Sequence, residues 1–395
     1  MVRVLVTLAV ENYRSLRRLV MPLRRLNVVT GANGSGKSSL YRTLRLLSHS
    51  ARNGAVAALA REGGLPSTLW AGPEVIGRSV RAGEHPLQGT VRTKPVALRL
   101  GFATDSFGYA IDLGMPQLPG HRGLFALDPE IKSECTWSGP VLRPGTRLTE
   151  RTNAAVGVRG PDGKWQATEL KLRPYDSMLA EFVDPELAPD LMLLRERIRS
   201  WRFYDHVRTD ADAPMRTAVI GTRTPVLGPD GADLAPALET IREIGDGDAL
   251  DAAVELAFPG SRVGVTATAG RFELMFNQPG MLRPLTAAEL SDGTLRYLAW
   301  VAALLTPRPP ELLVLNEPEN SLHPELIRPL AALVAGASSR MQIVVVTHSR
   351  ALASALDTHA DEADLQSVEL AKDHGETYVV GQGKLDEPPW HWPKR

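Results

Sequence analysis

Cysteine is almost missing from this chain: Cys135 is the only one among 395 residues. A lone thiol excludes an internal disulfide framework and suits a reducing compartment. Net charge is missing as well. The 45 Lys+Arg and 45 Asp+Glu cancel, so composition names neither a nucleic acid nor an anionic membrane as a bulk partner. No run of about 18 apolar residues occurs, which leaves no candidate membrane-spanning helix. The N-terminal stretch Met1–Leu8 alternates and stops quickly. It lacks the longer apolar segment and small-residue cleavage site of a secretory signal, and reads as a first strand. No internal repeat and no sustained heptad pattern are present, which excludes a solenoid or a coiled-coil arm. The expectation is a cytoplasmic globular protein with no membrane partner.

What is present is an ordinary apolar fraction of 43% and enough length for two or three domains of roughly 100–200 residues each. Three segments are expected. Residues 1–90 read strand, strand, glycine-rich turn, helix, then a loop-rich stretch. Residues 91–280 read as an insert: an antiparallel β subdomain, with Val96–Phe102 and Tyr109–Leu113 as strands, then a helical segment. In it Pro185–Ser200 and two stretches within 232–258 are the expected helices, and Arg271–Phe276 a strand. From 281 to 395 helices alternate with almost wholly apolar strands, Glu311–Asn316 and Gln342–Thr347. Such runs mark parallel strands covered on both faces. The tail 386–395 is read as irregular, with tryptophans that pack back on the body. The fold class is α/β.

The motif that carries most information is Gly31-Ala32-Asn33-Gly34-Ser35-Gly36-Lys37-Ser38, which fits G-x-x-x-x-G-K-[ST]. Its glycines let the backbone curl round a phosphate chain with N–H groups inward. Lys37 reaches the β- and γ-phosphates, and the Ser38 hydroxyl holds Mg²⁺. The apolar strand 26–30 before it and the helical run from Ser39 after it supply the strand–loop–helix context, with a helix N-terminus aimed at an anion.

A second set of polar residues follows apolar strands. Leu312–Leu315 delivers Asn316, Glu317, Pro318 and Glu319 to a strand's carboxyl end, where α/β sheets bind ligands. Glu317 is placed to orient and deprotonate a water. In Leu290-Ser291-Asp292-Gly293-Thr294, Ser291 can cap the following helix and Gly293 allows close approach of another backbone. That helix places Leu295, Leu298, Ala299 and Ala302 on one face. Thr347-His348-Ser349 ends another strand, and a histidine there can hydrogen-bond a phosphate.

In this order the motifs, with Ser321-Leu322-His323-Pro324 between them, resemble the head of an ABC-type ATPase. The branch is the RecF/SMC-like one, the RecF-like predicted ATPases of the AAA family (AAA_21 group). The segment Glu11-Asn12-Tyr13-Arg14-Ser15-Leu16 resembles the "n-F-R-s-F" stretch that precedes the P-loop there. The motifs cover roughly residues 1–50 and 285–360. The resemblance implies a P-loop NTPase fold, ATP and Mg²⁺ as cofactors, and ATP hydrolysis. It implies nucleotide contacts at Tyr13, Arg14, Gly31, Asn33, Gly34, Ser35, Gly36, Lys37, Ser38 and Ser39. Ser291 and Gly293 become signature residues that meet the nucleotide of a second protomer. Ser321, Leu322 and His323 become the D-loop of an ATP-dependent homodimer, and His348 the switch histidine. Mg²⁺ falls to Ser38 and Asn316. DNA, in repair or in defence, is the implied biological partner. The chain also resembles the ATPase half of the OLD nucleases without a TOPRIM-like nuclease half, so a separate effector protein is implied.

Asn316 departs from the pattern, which normally ends Asp-Glu; an amide offers an oxygen but no negative charge. This keeps a slowly hydrolysing regulatory switch in view as an alternative. A transporter's ATP-binding subunit is opposed by the long insert and by a signature that departs from Leu-Ser-Gly-Gly. Gln88 and Gln117 are the candidates for a Q-loop. Lys37→Ala is expected to abolish ATP binding; calorimetric titration showing wild-type affinity would remove the loop from the site.

Overall fold

The computed structural model describes residues 5–52, 54–73, 96–116, 124–125, 127–160, 162–205, 207–383 and 385–394. Met1–Val4 of the expected first strand and both Q-loop candidates, Gln88 and Gln117, lie outside the described residues.

Strands in chain order are β1 (Leu5–Tyr13), β2 (Leu16–Pro22), β3 (Leu26–Gly31), β4 (Leu98–Thr104), β5 (Phe107–Gly114) and β6 (Glu130–Ser138). They continue as β7 (Arg147–Thr152), β8 (Ala155–Arg159), β9 (Trp165–Lys171), β10 (Arg202–Tyr204), β11 (Val219–Ile220) and β12 (Arg262–Thr268). The last are β13 (Arg271–Asn277), β14 (Leu285–Thr286), β15 (Leu312–Asn316), β16 (Gln342–Val346), β17 (Leu365–Asp373) and β18 (Glu376–Val379). The α-helices are α1 (Lys37–Ser50), α2 (Ala55–Arg61), α3 (Leu65–Thr68), α4 (Met178–Glu181) and α5 (Pro189–Ser200). After them come α6 (Leu234–Ile244), α7 (Gly247–Ala257), α8 (Asp292–Leu304), α9 (Ile327–Ser338) and α10 (Arg350–His359).

The chain divides into two compact units. One comprises Arg24–Thr30 and Arg202–Ser367; the other comprises Arg3–Leu23, Gly31–Trp201 and Val368–Arg395.

In the first unit β10, β15, β16 and β3 lie side by side, all parallel. Leu312–Leu315 and the whole of β16 are buried, as the uninterrupted apolar runs predict for strands covered on both faces. The register aligns Asn316 with Val346 and Val346 with Val29, so β15 and β16 end level beside β3. Helix α8 differs from its one-faced reading. Leu295 and every residue from Tyr297 to Leu304 are buried, because α8 runs through the middle of a core that includes Leu238, Leu313, Leu330 and Val345. A helix packed all round needs no polar stripe. Helices α6 and α7 are separated at Gly245–Asp246, where Asp246 caps α7 by accepting from Ala249 N. A second, antiparallel sheet runs β11-β13-β12, with β14 on β13.

The second unit is built on an eight-stranded antiparallel sheet in the order β2-β1-β4-β5-β6-β7-β8-β9. The sequence pattern announces β4 and β5 but not that β1 and β2 extend the same sheet. It also underrates residues 51–73, where α2 forms in an alanine-rich stretch of high helix propensity and α3 follows as a single turn with proline in its first turn. Helix α5 begins at Pro189 rather than Pro185, since proline fits the first helical position, where its missing N–H costs nothing. In the sheet interior Glu134 and Arg151 pair with both side chains fully buried. Glu134 also accepts from Tyr109 Oη, Ser177 Oγ and Met178 N at 2.7, 2.5 and 2.6 Å. A buried charge pair is tolerable only when its remaining hydrogen bonds are met, and here they tie β5, β6, β7 and the start of α4 together. The tail is irregular, and Trp390 meets Trp137 edge-on at 5.5 Å and Trp392 at 5.3 Å. Gly101 makes room, since a Cβ there would lie 2.5 Å from the Trp390 ring.

His49, in the last turn of α1, is pushed down to about 4 by burial and by the charges of Arg45, Arg61 and Arg52. It stays neutral in the fold, whereas an unfolded histidine takes up a proton near pH 6.5. Between those values the unfolded state binds more protons, so stability falls as pH drops from about 6.5 toward 4. Thermal unfolding against pH should show that decline, and His49→Gln should shallow it; identical acid limbs would clear His49 of the effect.

Candidate functional site

The loop from Gly31 to Ser38 belongs to the second unit. Gly31, Gly34 and Gly36 have φ of 143°, 79° and 110°, in the region open to glycine. Gly34 is needed for its backbone angle alone, since a Cβ there would meet nothing. At Gly31 and Gly36 a Cβ would also collide, with Leu370 O and Ser35 Oγ in the first case and the Thr377 side chain in the second. Lys37 is buried and folds back over the loop, its Nζ donating to Gly31 O at 2.6 Å and Ala32 O at 3.1 Å. The Ser35 hydroxyl is buried and has no hydrogen-bond partner among the described residues. Helix α1 starts at Lys37 with Gly36 as its N-cap, no capping side chain and no acid in its first turn.

These features fit a polyphosphate. Free first-turn amides, an uncapped helix dipole of 14 residues and an orphaned buried hydroxyl are what an anion would satisfy. Asn33, Gly34 and Ser38 are exposed, so the loop's outer rim and the hydroxyl assigned to Mg²⁺ are accessible; Ser39 is buried in α1. Tyr13 is placed differently from its reading. It is fully buried and its hydroxyl donates to Glu62 Oε2 at 2.6 Å, with Arg14 on the same carboxylate at 2.8 Å. Tyr13 is thus a packing residue with no surface to offer a nucleotide; Arg14 remains partly exposed, turning with φ of 51°.

The second group of residues belongs to the first unit. Glu317 follows β15 directly and adopts φ of 50°, a left-handed geometry that costs a side-chain-bearing residue about 1–3 kcal/mol and clusters at functional turns. It is held there by Glu317 N donating to Val346 O at 2.7 Å and by Asn320 Nδ2 donating to Glu317 Oε2 at 2.8 Å. His348 Nδ1 lies 3.6 Å from Oε1 of both Glu317 and Glu319. These distances are too long for hydrogen bonds. Asn316 is half-buried at the strand end and level with Val346. Its amide and the Ser38 hydroxyl are both neutral oxygen donors, chemistry that suits Mg²⁺ once phosphate supplies the negative charge.

Glu319 received no role from its sequence position. It is buried, and its Oε1 accepts from Thr347 Oγ1, from His348 N at 3.3 Å and from Ser349 N at 3.2 Å. It therefore fixes the turn that carries His348. Two residues of α8 were missed as well: Trp300 Nε1 donates to Pro318 O at 2.9 Å, and Arg296 donates to Asn320 O at 3.2 Å. No local signal marks such supports, because they act across more than 15 residues of sequence.

Ser291 caps α8 as read, its Oγ accepting from Thr294 N at 3.2 Å. Gly293 has an intrachain reason to be glycine: a Cβ would lie 2.9 Å from Ser321 O. Ser291, Gly293, Ser321, Leu322 and His323 all line one open cleft of about 820 Å³. The expected signature and D-loop thus share a surface.

Removing the Glu319 carboxylate would strand the donors of Thr347 and His348 and leave Ser349 N to Thr347 Oγ1 alone. Glu319→Ala should therefore lower stability by about 1–3 kcal/mol, read from urea denaturation; an unchanged midpoint would show that the turn holds without it.

The family model described as "AAA domain, putative AbiEii toxin, Type IV TA system" matches residues 26–354. No curated protein matches the chain. Among solved structures it is similar to an SMC head bound to the C-winged helix domain of ScpA, at 12% identity and a TM-score of 0.50, covering 95% of this chain and 97% of that one. An SMC head domain from Thermotoga maritima follows at 14% identity and TM-score 0.45, covering 95% and 98%. An SMC head with an extended coiled coil, bound to the C-terminal domain of ScpA derived from Pyrococcus furiosus, stands at 12% identity and TM-score 0.47, covering 96% of both chains. The first of these likenesses concerns the fold, and it agrees with the parallel strand–P-loop–helix arrangement described above. With most of its length inside the family match, the chain belongs to the AAA_21 family, and its P-loop NTPase fold is similar to that of an SMC head.

Proposed function

We propose that the chain binds Mg-ATP and hydrolyses it. The observation that carries this reading is the loop itself. Three glycines at positive φ, a lysine folded over their carbonyls and a buried hydroxyl without a partner form a cradle whose polar groups a phosphate chain would meet. In this reading the loop amides and Lys37 hold the phosphates, while Ser38 and Asn316 would hold Mg²⁺. When bound, the ion would neutralise phosphate charge. Glu317 accepts the proton of the attacking water, and its turn, stabilised by Asn320 and Val346, holds the carboxylate ready. His348 offers a donor to a phosphoryl oxygen, with its Nδ1 3.6 Å from Oε1 of both Glu317 and Glu319.

We extend the proposal to an ATP-dependent homodimer. Support comes from Ser291, which is exposed at the N-terminus of α8, and from the cleft it shares with Gly293 and Ser321–His323. A second copy's nucleotide would be met there. A role in DNA maintenance or defence rests on kinship with the RecF/SMC-like ATPases and on the toxin named in the family description; the formal charge of zero adds nothing to it. The SMC heads that bind ScpA domains suggest, by analogy, a separate protein as effector. One observation favours a second reading, a slowly hydrolysing switch: Asn316 brings no charge to the strand end where a carboxylate would strengthen Mg²⁺ binding.

Glu317→Gln should retain Mg-ATP and accumulate as a dimer, seen as a doubled mass by light scattering. A monomer under saturating Mg-ATP sinks the dimer. Wild-type turnover measured with and without duplex DNA addresses the partner: stimulation that weakens with salt supports DNA, and none at low salt counts against it.

A further inference from the structure

We propose that Thr377, on β18, is a positioning residue for the P-loop: its hydroxyl holds the loop backbone in the curvature that receives phosphate. The proposal rests on the P-loop reading above and adds a residue some 340 positions away from the loop.

The placement follows from the sequence of the turn before it. His374 and Gly375 have φ of 46° and 85°, and Asp373 pairs with Glu376. Two positive-φ residues between paired strands make a two-residue hairpin turn, whose geometry leaves no freedom in register. Register then sets Thr377 opposite Lys372, and alternation puts Thr377 on the buried side while its neighbours Glu376 and Tyr378 are half-buried and exposed.

On that side Thr377 meets the loop. Its Oγ1 lies 2.8 Å from the carbonyl oxygen of Ser35, the residue before Gly36, and 2.8 Å from Ser15 Oγ. Its methyl lies where a Cβ at Gly36 would need to be, at 2.8 Å. The backbone of Thr377 also donates to Ser15 O at 2.8 Å, and Arg17 pairs with Glu376 at 3.1 Å. Thr377 is therefore braced by the β1–β2 turn and presses upward on the loop. A carbonyl that accepts from below turns the neighbouring peptide N–H groups the other way, and inward-facing N–H groups are what binds phosphate. Without the hydroxyl the Ser35 carbonyl is buried unpaired, and the loop relieves this by rotating.

This role separates from simple packing by comparing two substitutions. Thr377→Val keeps the shape and loses the hydroxyl; Thr377→Ser keeps the hydroxyl and loses the methyl. ATP affinity measured by titration, and KM and kcat for hydrolysis, should show Thr377→Val about tenfold weaker in Kd and KM, as expected for one buried hydrogen bond. Its kcat at saturation should move less than twofold. Thr377→Ser should stay within about twofold of wild type in all three. Wild-type Kd in a folded Thr377→Val protein overturns the proposal. So does an equal loss in both variants, which would mark the methyl rather than the hydroxyl. If Thr377→Val does not fold, Ser15→Ala, which frees Thr377 from its brace, should raise Kd with the fold intact, and an unchanged Kd overturns the proposal. Lys37→Ala run alongside distinguishes the underlying reading: should it bind ATP normally, the loop is not the nucleotide site, whereas its loss together with normal binding by Thr377→Val condemns only the role of Thr377.

Discussion

Much in this molecule depends on the shared register of three parallel strands. Backbone hydrogen bonds lock Asn316 to Val346 and Val346 to Val29, and Thr347 N donates to Val29 O. A slip of one strand would draw a polar residue such as Asn316 in among strands covered on both faces, which costs free energy unless a partner is found for it. The polar residues that follow, Glu317 after β15 and His348 after β16, therefore emerge at one edge. Strand β3 itself runs into Gly31, the first residue of the P-loop. Ligands of open α/β sheets gather at this edge for the same reason.

Around that edge, supports matter as much as the groups they hold. Glu317 sits in a left-handed conformation that it would not keep alone; Asn320 and the Val346 carbonyl hold its two ends. Trp300 and Arg296 grip the next carbonyls of the turn from α8, and Glu319 gathers the donors of the following loop. A helix buried on every side is well suited to this work, since its side chains cannot move without opening the core. In the other unit the β17–β18 hairpin plays the same part for the loop glycines. Gly31 and Gly36 are glycine both for their backbone angles and because Leu370 and Thr377 occupy the space a side chain would take.

The neutral strand end at Asn316 sets this chain apart from the acid pair usual at the position. A half-buried amide level with Val346 leaves Glu317 and Glu319 as the carboxylates of that turn. They are not alike: Glu319 is buried and its Oε1 accepts from the His348 loop, while the Glu317 side chain stays partly exposed. Two acids two residues apart thus divide into a buried, hydrogen-bonded one and a half-exposed one, which no comparison of residue types would reveal.

Sequence alone determined the glycine-rich P-loop, the buried parallel strands, the cap at Ser291 and the ordered motifs that mark the family. Each is a local pattern, written in glycine spacing, apolar runs or a capping hydroxyl, and local patterns survive without knowledge of the fold. It also separated α6 from α7 and located the β4 and β5 strands. Tertiary structure alone decided that β1 and β2 join the antiparallel sheet, that α8 is buried all round, and that Tyr13 is spent on Glu62. It alone brought Thr377 beneath Gly36, Trp300 to Pro318 and Arg151 to Glu134. These contacts join residues far apart in the chain, and their partners are chosen by strand register and by the satisfaction of buried polar groups. Neither has a periodicity to read.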